Sequence, residues 1–267
     1  MKKSLVKSVF LFLFVVSSSM LLAQNNKAWN QENEKGEKFG PWRAFHENGK
    51  LRYQGQFEDD KAVGEFHYYF EDGNLQSTLN YDSKNPSKSK AIHYYQTGEK
   101  MAEGEYIDQK KSGEWRTYGA GGVLVEESSY INGQRFGEWR LFYPNGKLLS
   151  EVYMERDLEQ GVKKEYYPEG ELKKEEAYTD GFRQGGTYIY SETADTLVKG
   201  EFVKDVRHGK WYYYKDNNTI DKVLEYKKGQ LMNPEVIEDM FTTPDEYKQN
   251  VKDELDFEDL KGTIQYD

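Results

Sequence analysis

The chain has 267 residues, a net charge of −10 and no cysteine, with a pI near 5.1. Such acidity withholds the basic footprint that a nucleic-acid backbone needs, and it works against docking on anionic lipid. The missing thiols exclude disulfides, thiolate metal sites, a cysteine nucleophile and a lipoprotein attachment cysteine.

Met1 to Ala23 carries Lys2, Lys3 and Lys7, an apolar run from Val9 to Val16, then Ser17 to Ser19 and a small residue at Ala23. This is the plan of a secretory signal peptide cleaved after Ala23, which predicts a secreted or periplasmic protein with no membrane segment left after cleavage. An uncleaved anchor is the rival reading, although the apolar core is short for a span. Residues 24–39 are polar and charged, and read as a flexible lead-in.

Residues 40–232 form a repeat domain. Aligned on an anchor, Gly40, Gly64, Ser89, Gly113, Gly137, Gly161, Gly185 and Gly209 follow in steps of 24 residues, with a step of 25 before Ser89. A fixed period of this length marks a repeat array, in which neighbour-to-neighbour packing replaces a single globular core. Five residues past the anchor stand Phe45, Tyr69, Tyr94, Tyr118, Phe142, Tyr166, Tyr190 and Tyr214. Seventeen past it stand Phe57, Tyr81, Tyr106, Tyr130, Met154, Tyr178, Phe202 and Tyr226.

In the fifth repeat Glu138 to Tyr143 interleaves rings with charges, and Asn145-Gly146 follows. Asn-Gly between alternating runs predicts a β-hairpin with a two-residue type I′ turn. Counting outward pairs Trp139 with Val152, Tyr143 with Leu148 and Gly137 with Met154. The last pairing becomes glycine against an aromatic ring in six other repeats, such as Gly40 with Phe57 and Gly161 with Tyr178, and predicts a ring laid over bare backbone. Ile131 to Gln134 and Thr179 to Phe182 read as return turns. The expected fold is all-β: an elongated, single-layer antiparallel meander of eight tandem hairpins, about sixteen strands at about 4.8 Å each.

The third repeat is irregular, with Ser83 to Lys88 as a solvated loop, and the tryptophan position weakens at Lys163 and Thr187. Residues 233–267 hold 11 acidic and 3 basic residues. Asn233-Pro234 opens one short helix, and Thr243-Pro244-Asp245-Glu246 has capping-box spacing before Tyr247, Val251 and Leu255 at helical intervals. This predicts an acidic helical cap over the last strands, with a partner-binding acidic helix as the rival.

No constellation for chemistry stands out. His46, His67, His93 and His208 fall at different registers and read as surface residues rather than metal ligands. Glu114 and Glu138 would lie about 10 Å apart on one face, near the separation of inverting glycosidase carboxylates, but Glu-x-Arg alternation is more simply a charged ladder. The reading is therefore a non-enzyme with no catalytic residue, metal or cofactor. The candidate binding site is the aromatic series from Phe45 to Tyr214 with Arg116 and Arg140 on the same face, which could grip a protein segment or a glycan. The bland alternative is that these rings only cover the sheet.

The pattern Gly-x-Trp-x-x-Tyr/Phe-x-x-x-Gly-x-Leu, followed by an aromatic residue and Asn/Asp-Gly, closely resembles the MORN repeat variant of bacterial proteins, often classed with the antitoxins of toxin-antitoxin modules. The resemblance spans Gly40 to about Met232. It implies a sheet of hairpins used as a scaffolding surface, with an exported protein scaffold as the first functional expectation and an antitoxin or immunity protein as the second.

Overall fold

A computed structural model of the chain describes residues 28–215 and 219–238. The segment read as a signal peptide, 1–23, and the helix expected from Thr243 lie outside the described residues. The described residues form an all-β fold, an open antiparallel meander of 18 strands that follow one another in sequence order. Sixteen have seven to nine residues, and the strands at the two ends have two each.

The chain divides into two compact units. The first holds β1 (Gln31–Glu32), β2 (Lys38–Phe45), β3 (Leu51–Glu58), β4 (Lys61–Tyr69), β5 (Leu75–Tyr81), β6 (Lys88–Tyr94), β7 (Lys100–Ile107) and β8 (Lys110–Tyr118). The second holds most of β9 (Leu124–Ile131), then β10 (Gln134–Phe142), β11 (Leu148–Glu155), β12 (Leu158–Tyr166), β13 (Leu172–Thr179), β14 (Phe182–Tyr190), β15 (Thr196–Val203), β16 (Val206–Tyr214), β17 (Ile220–Lys227) and β18 (Gln230–Leu231).

Two kinds of turn alternate, and the type I′ turns are the return turns. Asp59-Asp60, Arg156-Asp157, Asp180-Gly181 and Lys204-Asp205 have positive φ at both positions, which is the type I′ requirement. They are closed by pairs such as Glu155 with Leu158 and Thr179 with Phe182. The Asn145-Gly146 turn instead has three residues. Tyr143 N–H donates to Lys147 O at 2.8 Å and Gly146 N–H to Tyr143 O at 2.9 Å, and only Gly146 has positive φ. This is a type I turn closed by a glycine bulge. Asn145 is held in it because its carboxamide accepts Lys147 N–H at 3.0 Å and donates to Pro168 O of the next repeat at 2.9 Å.

The longer turn moves one expected pair and leaves the others. Phe142, not Tyr143, faces Leu148, and a bulge brings Leu141 opposite Ser150. Trp139 with Val152 and Gly137 with Met154 therefore stand as expected.

The anchor glycines have a different role from the one expected. A Cβ built on Gly40, Gly64, Gly113 or Gly161 would meet nothing within 4 Å, so no ring lies on them. What they share is positive φ, 66–75° at these four. Gly64, Gly113, Gly161, Gly185 and Gly209 sit where the strand slips against the preceding one: Gln56 pairs with Val63 but Gln54 with His67, and Tyr153 pairs with Gln160 but Glu151 with Lys164. Two extra residues are taken up in a bulge, which a left-handed glycine makes possible. The third repeat supplies the control. With Ser89 at the anchor, β5 and β6 pair from Ser77–His93 to Tyr81–Ser89 without a shift, and the return connection lengthens to Asp82–Ser87. There the Asp82 carboxylate accepts the N–H groups of Lys84 and Asn85, which hold its pKa below the usual carboxylate range.

The ends also differ from expectation. Within the lead-in, Gln31 and Glu32 form β1 and pair with Phe39 and Lys38. The helix expected after Asn233-Pro234 is present as one turn, Glu235–Glu238, whose Val236 packs near Phe202, Trp211 and Leu224; among the described residues no longer helical cap is seen, and the remainder of that expectation lies outside them.

Candidate functional site

Strand alternation gives the sheet a packed face and a charged face. The packed face is built around the residue two past each anchor. Trp115 is 1% exposed, Phe66 1% and Trp211 2%. Each of these rings rests on a glycine of the strand before it, because a Cβ added to Gly55, Gly104 or Gly200 would fall inside Phe66, Trp115 or Trp211 respectively. Ring-over-glycine packing is thus present, at glycines fifteen past the anchor rather than at the anchors.

At two joints where the glycine is replaced, its partner is smaller. Leu79 faces Ala91 in the first unit and Glu176 faces Thr187 in the second. The seventeen-past rings close the sides edge-on, as Tyr106 does at 4.9 Å from Trp115 and Phe202 at 5.1 Å from Trp211. A cation two residues before the anchor lies above them: Lys111 over Trp115 and Tyr130, and Arg207 over Trp211 and Tyr226. Lys38, Arg135 and Arg183 repeat the arrangement over Trp42, Trp139 and Phe202. Spacing carried this signal, a basic residue four before the aromatic one, and the sequence reading missed it. His93 is not the surface residue expected. It stacks on Trp115, its Nε2 lies 3.1 Å from the Tyr106 hydroxyl, and burial lowers its pKa.

The aromatic candidates lie on the charged face, and four of the eight are tied down by their hydroxyls. Tyr118 donates to Glu103 at 2.5 Å, Tyr166 to Glu151 at 2.8 Å and Tyr190 to Glu175 at 3.1 Å, while Tyr69 accepts from Gln54 at 3.3 Å. Each partner is fifteen residues earlier, so the ladder links every repeat concerned to the one before. Phe142 has no hydroxyl to offer Glu127, and Arg140 approaches that carboxylate at 3.9 Å while also bonding Glu138. Arg116 pairs with Glu114 at 3.6 Å. Phe45 is the most open member at 49%, under Arg43. Tyr94 and Tyr214 are half-buried.

Glu114 and Glu138 are each bound to an arginine two residues on, and their side chains are 80% and 64% exposed. No enclosure surrounds either carboxylate that could set one apart as an acid. Among the described residues no cluster of histidine and carboxylate ligands for a metal is present, and no helix is long and apolar enough to cross a membrane.

The tyrosine–carboxylate ladder has a titration consequence. Burial first, and then the Glu151 and Glu175 carboxylates, push Tyr166 and Tyr190 up to about 12, above the ordinary phenol value of about 10. A raised folded-state pKa gives stability that is whole below the unfolded value and lost as pH rises through the folded one. Urea unfolding midpoints should therefore fall between pH 10 and 12, and fall less steeply in Tyr166→Phe/Tyr190→Phe, which should also lose about 1 kcal/mol per hydrogen bond at neutral pH.

A feature of the charged face that the sequence reading overlooked lies in the second unit. Where the second, fourth and fifth repeats carry Glu65, Glu114 and Glu138, the sixth and seventh carry Val162 and Gly186. Val162 pairs with Ala177, and Tyr153 with Gln160. Leu158 and Phe182 extend this apolar window to the return turns, where Glu155, the cross-strand partner of Leu158, closes it with a charge. Tyr153, Leu158, Val162 and Phe182 are 45%, 45%, 52% and 51% exposed.

The model of the family described as MORN repeat variant matches residues 40–59, 62–83, 111–132, 137–155 and 159–180. No curated protein matches the chain by sequence. The five matches omit the third repeat, whose anchor is Ser89, and the seventh and eighth, although all three form the same hairpins.

Proposed function

We propose that this chain, which belongs to the MORN repeat variant family, is an exported, non-catalytic scaffold that holds a partner protein on the charged face of its second unit. Membership supports a repeat scaffold, and the signal-peptide plan of residues 1–23 supports a site of action in the periplasm or outside the cell. The observation that carries the reading is the apolar window of Tyr153, Leu158, Val162, Ala177 and Phe182 in a face that also carries the Arg140 ion pairs and the tyrosine–glutamate bonds. A contiguous exposed apolar patch rimmed by charge is the surface signature of a protein interface. The tyrosine ladder beside it holds the rim in place, since Tyr166 and Tyr190 position Glu151 and Glu175.

The test is site-specific photocrosslinking. With a photoreactive residue at Val162, envelope extracts should yield one discrete adduct, and Phe182→Glu should abolish it while leaving the thermal melt unchanged. If position 162 gives no adduct and position 118 does, the partner sits on the aromatic ladder of the first unit and the window is not the site.

A further inference from the structure

A meander built from one repeating hairpin has a hazard at its ends. The outer edge of β17 and the outer edge of β2 present the two halves of a joint that the protein already makes, for example between β15 and β16. β17 descends and β2 ascends, so the last strand of one copy could receive the first strand of another and continue the array. Unpaired edges template such additions, and a head-to-tail contact that does not close produces open chains.

Both edges are blocked, by the same three devices drawn from unrelated local sequence. At β2 the first is the two-residue strand β1 against Phe39 and Lys38. Next comes Asn30, which donates its N–H to Pro41 O at 3.0 Å and accepts Arg43 N–H on its side-chain oxygen at 2.8 Å. The third is Pro41 itself, which has no N–H to offer at an edge position where the other repeats carry glutamate, lysine, valine or glycine.

At β17 the first device is the two-residue strand β18, paired with Tyr226 and Lys227. Asn233 follows, its side-chain oxygen accepting Glu225 N–H at 2.8 Å and its amide donating to Val223 O at 2.9 Å. One carboxamide thus occupies both a donor and an acceptor of the outer edge, as a paired strand would. Pro234, which has no N–H to add to the edge, then leads the chain into the helical turn Glu235–Glu238.

We infer that Asn30 with Pro41, and Asn233 with Pro234, are terminators whose task is to prevent end-to-end strand pairing, and that the partner these edges fit is the opposite edge of a second copy of this chain. The test uses the full chain. Asn30→Ala/Pro41→Glu opens only the β2 edge, and Asn233→Ala opens only the β17 edge. Each variant alone should sediment as the wild type does, because an open edge meets only blocked ones. Mixed in equal amounts they should form a species of twice the mass, and a chain carrying all three substitutions should grow into longer linear assemblies as concentration rises.

Adding Val223→Pro to the triple variant should return it to the wild-type mass, which separates edge pairing from general aggregation. Far-ultraviolet circular dichroism checks that the strands persist. If folded single-end variants do not associate on mixing, or if either associates alone, the terminator assignment is wrong. Should Asn233→Ala unfold, Asn233→Ser, which keeps the acceptor and loses the amide donor, replaces it in the same mixing experiment.

Discussion

Replacing Trp115 with alanine should lower the stability of the first unit by about 3–5 kcal/mol, the range for removing a fully buried large ring. The indole is 1% exposed, packs with Ala91, Ala102 and Tyr130, and donates its Nε1–H to Glu105 O at 3.0 Å. Gly104→Ala attacks the same contact from the other side. Its φ is ordinary, so the backbone tolerates alanine, but the new methyl would fall inside the indole, and overpacking of this kind costs about 1–3 kcal/mol.

The telling variant combines them. Gly104→Leu/Trp115→Ala recreates the Leu79–Ala91 pairing of the neighbouring joint and should lose less than the sum of its single substitutions, by about 1–3 kcal/mol in a double-mutant cycle. Urea unfolding of the four proteins measures this. Strict additivity would show that the two side chains do not share one volume.

The second large effect concerns backbone conformation alone. Gly161 has φ of 75° and open space around its missing side chain, so Gly161→Ala should destabilise by about 1–2 kcal/mol through the left-handed conformation only. Ala194 is the natural converse. It occupies the turn-closing position that glycine holds in other repeats and has φ of 64°, kept there by its N–H bond to Ser191 O and by Asp195 N–H donating to the Ser191 hydroxyl. Ala194→Gly should stabilise by about 1 kcal/mol, the reverse of the same penalty. Opposite shifts in denaturation midpoint, with unchanged denaturant sensitivity, are the expected result. If Gly161→Ala is silent, the bulge at β12 does not require the left-handed backbone.

Much of this architecture was legible because one period governs it. The sixteen long strands, the order of the hairpins and the pairing of Trp139 with Val152 follow from counting residues, whereas the two-residue strands at the ends do not. The turn type at Asn145-Gly146 did not, because a three-residue turn and a one-residue bulge displace the register in opposite directions and cancel beyond Leu141. The anchor glycines misled for a related reason: an aromatic residue opposite a glycine looks like covering contact, whereas open space lies over Gly40, Gly64, Gly113 and Gly161, and the glycines that bear rings are Gly55, Gly104 and Gly200.

For the candidate site, the aromatic series was visible but its hydroxyl partners were not, since they belong to the preceding repeat and are fifteen residues away. The apolar window had a signal that went unused. It is the departure of Val162 and Gly186 from the glutamates of Glu65, Glu114 and Glu138, and it appears when repeats are compared with each other rather than averaged.

The size matching across successive strands bears on how such a chain could lengthen or shorten over evolution. Excising one 24-residue cassette leaves the hydrogen-bonding edges compatible, yet it brings together side chains that never met. Loss of the second repeat would set Gly55 against Ala91 and leave a hole. Loss of the third would drive Leu79 into Trp115. Removing both together would seat Trp115 on Gly55, a fit the protein already uses between Gly104 and Trp115. Tandem genes of this type should therefore gain and lose certain blocks as inseparable pairs, with the grammar written in volumes rather than in the period itself.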